Sequence, residues 1–532
     1  MIIERDDPFL TCWSSEKKLN GKSFDELFTI DSFPLWWFYN RTFVPYILPK
    51  QINTFDYIAK KKKLSAVSKI RLELAALGIR NMIYFNERRK LAFFNQGKLA
   101  VKDKLLSPNK RLSTEDAASQ KTEKILFFSY SNHLLANGDV FRVQPLINEI
   151  KAKSPFRPLV LFVDTLSSKN YRQLLNQQTI YHYCSPEIQA KASAEAKRLC
   201  QQWSSLRDKE KYRLLQKENF SYWPYLKPAF KVFLSKKMLT LLISYYEASK
   251  QAILQESVKA LIITSQNSLF DKCIIAAAQK LNVPVLRIQH GIGEGLVPPT
   301  RTDQYYKLVF SEEVKKELVS IGWQPEKVIV VGPLIFDELH PFKGDKTNGK
   351  KNILVATAPL VTECNGQKNY FKRLELVVKS IQQIPGCQIR VKLHPAETNI
   401  GSYRKYFKTN GMADIEFYDH NLQRKQFYQL MVWCDVFINF GSTSALEAMI
   451  IGRPVVTVKV INFAAMTNWQ DENSLVVSTT YQEDIKPAIE TAWNSYPERS
   501  LKIKQYIAKK CGMVDGQAHQ RVVTVINQLL GS

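Results

Sequence analysis

Short, unbroken apolar runs alternate with stretches of helical spacing twice along this chain, and that alternation is what most restricts its fold. In the first half the runs are KILFFSYS (124–131), PLVLFVD (158–164), ALIITSQ (260–266) and VPVLRIQHG (283–291), then YYKLVFS and KVIVVGP up to 333. In the second half they are NILVATAP, QIRVKLHP (388–395), DIEFYD, DVFINF and PVVTV. A strand apolar on every residue is buried on both faces. Strands of that kind, separated by helices, predict a parallel sheet covered on both sides.

The pattern divides the chain. Residues 1–120 are expected as a helical, aromatic and basic extension. Residues 121–340 form a first Rossmann-like domain, with a helix-rich stretch at 186–255 predicted to hold two or three helices. HPFKGDKTNGKKN (340–352) reads as a linker, 341–510 as a second Rossmann-like domain, and 511–532 as a helix packing back on the fold. The fold class is therefore α/β: two doubly wound domains facing a cleft, with ligands expected at the carboxyl ends of the strands. In the extension, SFPLWWFYNRTFVPYILPK (32–50) precedes a basic amphipathic stretch whose apolar face holds Leu64, Val67, Ile70, Leu72, Leu74 and Leu77. Beside Trp36, Trp37 and Phe38, that helix fits an anionic bilayer surface. The favoured expectation is a helical cap whose aromatics pack on the next domain.

Composition narrows the function classes. The net charge of +26 over 532 residues points to an anionic partner: phosphorylated substrate, anionic lipid or nucleic acid. Eight scattered cysteines without a CxxC pair argue for reduced thiols rather than disulfides or zinc. The start, MIIERDDPF, lacks the pattern of a secretory signal, and no apolar run reaches the roughly 18 residues of a membrane span. A cytoplasmic protein is expected, with a peripheral place at the inner membrane face as a further expectation.

The stretch INFGSTSALEAMIIGRPVVTV (438–458) carries the sharpest chemistry. A buried strand turns through Gly441, Ser442, Thr443 and Ser444 into a helix, with Glu447 on its first turn. Such a turn offers backbone N–H groups and the positive end of a helix dipole to a phosphate, while Glu447 suits ribose hydroxyls. Plain helix capping uses the same atoms. VKLHPAE (391–397) sets His394 at another strand's carboxyl end, before a proline that forces the chain out of the sheet, with Lys392 on the same side. Either a cationic or a donating imidazole there would hold a diphosphate. Thr357, in ATAPLVTECNG, is a further donor-phosphate contact.

In the first domain IQHGIGEG (288–295) provides His290 and Glu294 as candidate general bases. Its GxGxG is not a dinucleotide fingerprint. SYSNHLLANGDVFR (129–142) supplies Asn132, His133, Asp139 and Arg142 on the acceptor side, Asp139 with a catalytic carboxylate. A DxD after an apolar strand, a Walker loop, a GxSxG elbow and His/Cys clusters are all missing from the sequence, so neither a metal nor a cofactor is expected.

Taken together, strand-RIQHG, strand-VKLHP and FGSTSALEAMIIGRPVV resemble the GT-B glycosyltransferases. The pattern is nearest the bacterial surface-polysaccharide group: capsule Kdo-transferases, polysialyltransferases with an HP motif, and CDP-glycerol glycerophosphotransferases. DQYYKLVFSEEVKKELVSIGWQPEKVIVVGPLIFDEL looks like the segment that closes the first domain in that group. The likeness covers 260–460 well and 120–170 loosely, and does not extend to 1–120. It implies that His394 and the Ser442–Ser444 turn bind donor phosphates, that Glu447 binds ribose, and that His290 lies at the reaction centre. The expected reaction is metal-independent transfer of a sugar from a CMP-, UDP- or GDP-linked donor to a glycan or lipid-linked acceptor. The alternatives are a CDP-polyol phosphotransferase, a non-hydrolysing UDP-sugar 2-epimerase and, outside these classes, a nucleic-acid-binding protein. The last lacks any recognition-module motif.

Overall fold

The computed structural model describes residues 13–39 and 122–531, apart from 131–132, 135–137, 164–177, 218–219, 222, 266–267, 292–298, 301, 343–350, 359–365, 395–396, 398, 420–421, 443, 460–474 and 482. Two six-stranded parallel sheets dominate it. The first contains β1 (Lys124–Ser129), β2 (Arg157–Phe162), β3 (Val258–Ile263), β4 (Val285–Ile288), β5 (Tyr306–Val309) and β6 (Val328–Val330). Its spatial order is β6-β5-β4-β3-β1-β2. The second contains β7 (Lys351–Ala356), β8 (Cys387–Lys392), β9 (Glu416–Tyr418), β10 (Val436–Asn439), β11 (Val455–Lys459) and β12 (Val477–Thr480), in the order β9-β8-β7-β10-β11-β12. This is the two-domain α/β arrangement of the GT-B type.

Helices cover both faces of each sheet, which is why the central strands are continuously apolar. Ile125, Leu126, Leu261, Ile353, Leu354, Val436 and Phe437 have no exposed surface. In the first domain the helices are α1 (Gln144–Lys153), α2 (Pro186–Ser205), α3 (Asp208–Leu214), α4 (Trp223–Phe233), α5 (Lys236–Gln255) and α6 (Leu269–Lys280). Four of them fall where the sequence pattern predicts two or three, the antiparallel pair Gln216–Lys217 and Phe220–Ser221 lying between α3 and α4. In the second domain α7 (Gln367–Gln382) and α8 (Ile400–Thr409) share one core with the sheet. α9 (Arg424–Trp433), α10 (Ser444–Ile451) and α11 (Tyr496–Lys510) share the other. The last helix, α12 (Ala518–Leu530), returns to the first domain: Val522, Val523 and Ile526 pack with Leu146, Ile147 and Ile150 of α1. His519 Nδ1, on α12, lies 2.7 Å from Asp337 in the interdomain 3-10 segment Leu334–Phe342.

Trp36, Trp37 and Phe38 take the packed alternative, being 4%, 4% and 0% exposed. The Trp36 ring stacks on Phe230 with centroids 6.3 Å apart, and Tyr39 donates to the Phe233 carbonyl at 2.9 Å. These aromatics belong to the first domain's core and do not face a membrane. The basic amphipathic stretch that follows them lies outside the described residues. Among the described residues no helix is long and apolar enough to cross a membrane.

Candidate functional site

The strand order of the second sheet places a crevice. The chain runs outward in one direction through β7, β8 and β9 and in the other through β10, β11 and β12, so helices leave opposite faces between β7 and β10. Ala356, the last residue of β7, is in register with Lys392 on one side and Asn439 on the other. The segments leaving those three strands carry Thr357, His394 and the serine turn. Thus the sheet brings together the donor-side residues expected from sequence.

The His394 corner is built from a buried carboxylate. The His394 amide donates to the Thr357 hydroxyl at 2.9 Å and to Glu397 Oε2 at 3.1 Å, while the Glu397 amide returns to the His394 carbonyl at 2.8 Å. Glu397 also accepts the hydroxyls of Thr357 and Tyr403. Thr357 is 2% exposed, so its hydroxyl holds the corner rather than facing the crevice. The one sequence signal for Glu397 is its position three residues beyond His394, the spacing of a capping box. Burial, and then the charge of Lys392, lowers the His394 pKa, favouring the neutral donating imidazole over the cationic form. Burial also lowers Lys392 to about 8, and its ammonium donates to the Leu393 carbonyl at 2.6 Å.

The serine turn is shaped by Asn439, which is fully buried. Its Oδ1 accepts from the amides of Gly441 at 2.8 Å and Ser442 at 3.1 Å. Its Nδ2 donates to Thr457 Oγ1 at 3.1 Å, tying the turn to β11. Gly441 adopts φ +84°, a conformation that side chains with a Cβ rarely take. The Ser444 amide donates to Ser442 Oγ at 3.2 Å. Ser444 Oγ itself is buried, 9% of the residue being exposed, and has no partner among the described residues. An unsatisfied hydroxyl on the first residue of α10 is what a ligand oxygen would complete. Thr443 lies outside the described residues.

Glu447 is engaged already. Its Oε1 accepts from Arg424 Nη2 at 3.2 Å and from the Tyr428 hydroxyl at 3.4 Å. Neither partner carries a motif in the sequence that marks it. Both lie on α9, whose first residue is Arg424.

In the first domain His290 stands two residues beyond β4, exposed on one side. Desolvation on the other side, then the charges of Arg142 and Arg287, lowers its pKa to about 4. Its imidazole is therefore neutral near pH 7 and able to accept a proton. His133 Nδ1 sits 3.2 Å from Ser129 Oγ, at the carboxyl end of β1. Arg142 has the left-handed φ of +71°, and its guanidinium lies 5.1 Å from the Phe141 ring centroid. Asp139 lies in the same loop, while Asn132 and Glu294 fall outside the described residues. On the opposite side of the crevice, Arg424 is 5.9 Å from the same Phe141 ring, so the carboxyl edges of the two sheets meet there. Among the described residues no group of three or more His, Cys, Asp or Glu is placed to hold a metal.

A family model described as UDP-N-acetylglucosamine 2-epimerase matches residues 304–527, the second domain with the segments flanking it and under half of the chain. No curated protein matches. Among solved structures, Staphylococcus aureus MnaA in complex with UDP is 13% identical, covers 77% of this chain and 97% of its own, and has a TM-score of 0.45. Acinetobacter baumannii MurG is 12% identical over 76% of this chain and 99% of its own, with a TM-score of 0.41. The wall teichoic acid polymerase TagF is 11% identical over 88% and 99%, also at 0.41. At such values these likenesses carry no information about chemistry.

Proposed function

We propose that this chain is a glycosyltransferase that moves a sugar from a nucleotide-linked donor to a glycan or lipid-linked acceptor in surface polysaccharide synthesis, working at the cytoplasmic face of the membrane. The observation that carries this reading is the unsatisfied Ser444 hydroxyl beside the strand-order reversal of the second sheet, with Lys392 and His394 at the carboxyl end of β8, two strands away. All three suit the oxygens of a diphosphate. The family-model match to that same domain supports a nucleotide-sugar as the ligand.

In the reaction proposed, an acceptor hydroxyl attacks the anomeric carbon and passes its proton to the neutral His290. The bond from that carbon to the donor phosphate breaks, and its electron pair leaves on the phosphate oxygen. The growing negative charge is met by the α10 N-terminus, Ser444 Oγ, the donating His394 and Lys392. On this reading Asp139, His133 and Arg142 orient the acceptor.

The family-model match favours a second reading, a non-hydrolysing UDP-N-acetylglucosamine 2-epimerase, which uses the same donor pocket but needs no acceptor. Incubation with UDP-, CMP- and GDP-sugars, with and without glycan extract, separates the two. Transfer requires free nucleotide to appear only when acceptor is present. Epimerisation of UDP-N-acetylglucosamine at C2 without acceptor would establish the second reading. Failure to consume any nucleotide sugar in either condition would refute both.

A further inference from the structure

Arg424 is a cation at the first position of α9, where the helix dipole disfavours positive charge. A residue set against its local preference needs a compensating role elsewhere. Its guanidinium joins four parts of the molecule. Nε donates to the Tyr428 hydroxyl, and Nη2 donates to the Ile335 carbonyl in the interdomain segment. Nη2 also reaches Glu447 Oε1 at 3.2 Å, and Glu338 lies 3.8 Å from Nε. The remaining contact is Phe141, on the first-domain loop that carries His133, Asp139 and Arg142. The Arg424 side chain is 24% exposed and that of Glu447 16%, so the pair is only partly screened by water.

The contacts on Glu447 are one-sided. Arg424 and Tyr428 both engage Oε1, whereas Oε2 has no hydrogen-bond partner among the described residues. A carboxylate fixed by one oxygen presents the other in a set direction. Ribose carries two adjacent hydroxyls, whose donors such an oxygen accepts.

We infer that Arg424 is a positioning residue for the nucleotide. It holds Glu447 so that Oε2 faces the ribose diol, and it links this contact to the interdomain segment and to the acceptor-side loop through Phe141. The inference rests on the nucleotide-sugar reading given above. Arg424 acts through Glu447 and touches no reacting atom. Lysine in its place would keep the charge but lose the planar fork that reaches Tyr428, Ile335 and Glu447 together.

The test is calorimetric titration of UDP, CMP and GDP, each paired with its 2′,3′-dideoxy form, into the full chain. The proteins are wild type, Arg424→Gln, Arg424→Lys, Glu447→Gln and the Arg424→Gln/Glu447→Gln double variant, each checked by thermal melting to be folded. With the nucleotide that wild type prefers, Arg424→Gln raises Kd about tenfold, which is ~1.4 kcal/mol. The dideoxy form loses less than about twofold, since it has no diol to misplace. Arg424→Lys falls between, and the double variant is no worse than Glu447→Gln alone. Equal weakening of both ligand forms by Arg424→Gln, or no weakening of either, overturns the inference and leaves the nucleotide site standing. Failure of wild type to bind any of the three nucleotides removes the nucleotide reading itself, and the inference with it.

Discussion

Thr357 and Glu397, forty residues apart, are hydrogen-bonded beneath the His394 corner, and that bond decides where the imidazole stands. Thr357 leaves the central strand, Glu397 follows the neighbouring one, and the His394 amide donates to both. The corner is thus fixed by side chains buried behind it rather than by the loop's own conformation.

Glu397→Ala removes the carboxylate to which the hydroxyls of Thr357 and Tyr403 donate and leaves the His394 amide with the Thr357 hydroxyl as its remaining acceptor. At about 1–3 kcal/mol for each orphaned buried group, and less than additively, the expected loss is about 2–4 kcal/mol of folding stability. Glu397→Gln retains one acceptor oxygen and loses roughly half as much. Urea denaturation of the two variants measures this. A loss below about 0.5 kcal/mol in Glu397→Ala would place Glu397 among ordinary surface residues and contradict the structure of the corner.

Asn439 gives a second prediction, because its two ends do different work. Asn439→Asp keeps the oxygen that accepts from Gly441 and Ser442 but loses the donor to Thr457. Asn439→Ala loses both. The alanine variant should lose about 2–3 kcal/mol and most of its nucleotide affinity, since the turn before α10 is no longer shaped. The aspartate variant, retaining the turn, should bind nucleotide better than the alanine variant even if its stability is no higher. Equal nucleotide binding by wild type and Asn439→Ala would disconnect this turn from the ligand.

The environment of His290 predicts a pH dependence. Desolvation, followed by Arg142 and Arg287, holds its pKa near 4, below the ordinary 6.5. The sign follows directly: the ring remains a base well below the pH at which a free histidine protonates. The acid limb of kcat/KM that belongs to this base should therefore lie below about pH 6, where an unperturbed histidine would titrate. Arg142→Ala removes one neighbouring cation, makes protonation easier and moves that limb upward. A pH–rate series on the two proteins tests the shift. An unmoved limb, or one moved downward, would mean that the titrating base is a group other than His290.

Much of this architecture is legible in the sequence, for a physical reason. Strands buried on both faces are apolar at nearly every position, so KILFFS, VKALII and VFIN announce a covered parallel sheet without further help. The ends of the strands that lead to His394 and the serine turn are legible too, since Gly441 and the proline after His394 mark them. What escapes is whatever depends on distant partners. Arg424 looks like an unfavourable cation at a helix start until Ile335 and Glu447, 89 and 23 residues away, come beside it. Asn439 reads as one polar residue in an apolar strand until Thr457 is paired with it. The aromatic run at Trp36–Phe38 has the composition of a membrane belt and of a core alike, and only the approach of Phe230 and Tyr246 distinguishes them.

The central claim is that a nucleotide's phosphates sit at the start of α10, completing the unsatisfied Ser444 hydroxyl and facing His394. The most direct measurement is a thermal-shift titration of wild type, Ser444→Ala and His394→Ala with UDP, CMP, GDP, CDP and ADP. A ligand at about 100 times its Kd stabilises the native state by roughly 2.7 kcal/mol, enough to move the melting transition visibly. The account predicts a clear shift with at least one nucleotide in wild type, reduced in both variants although each melts normally without ligand. A wild-type shift that survives unchanged in both variants would put the nucleotide elsewhere on the molecule and contradict it.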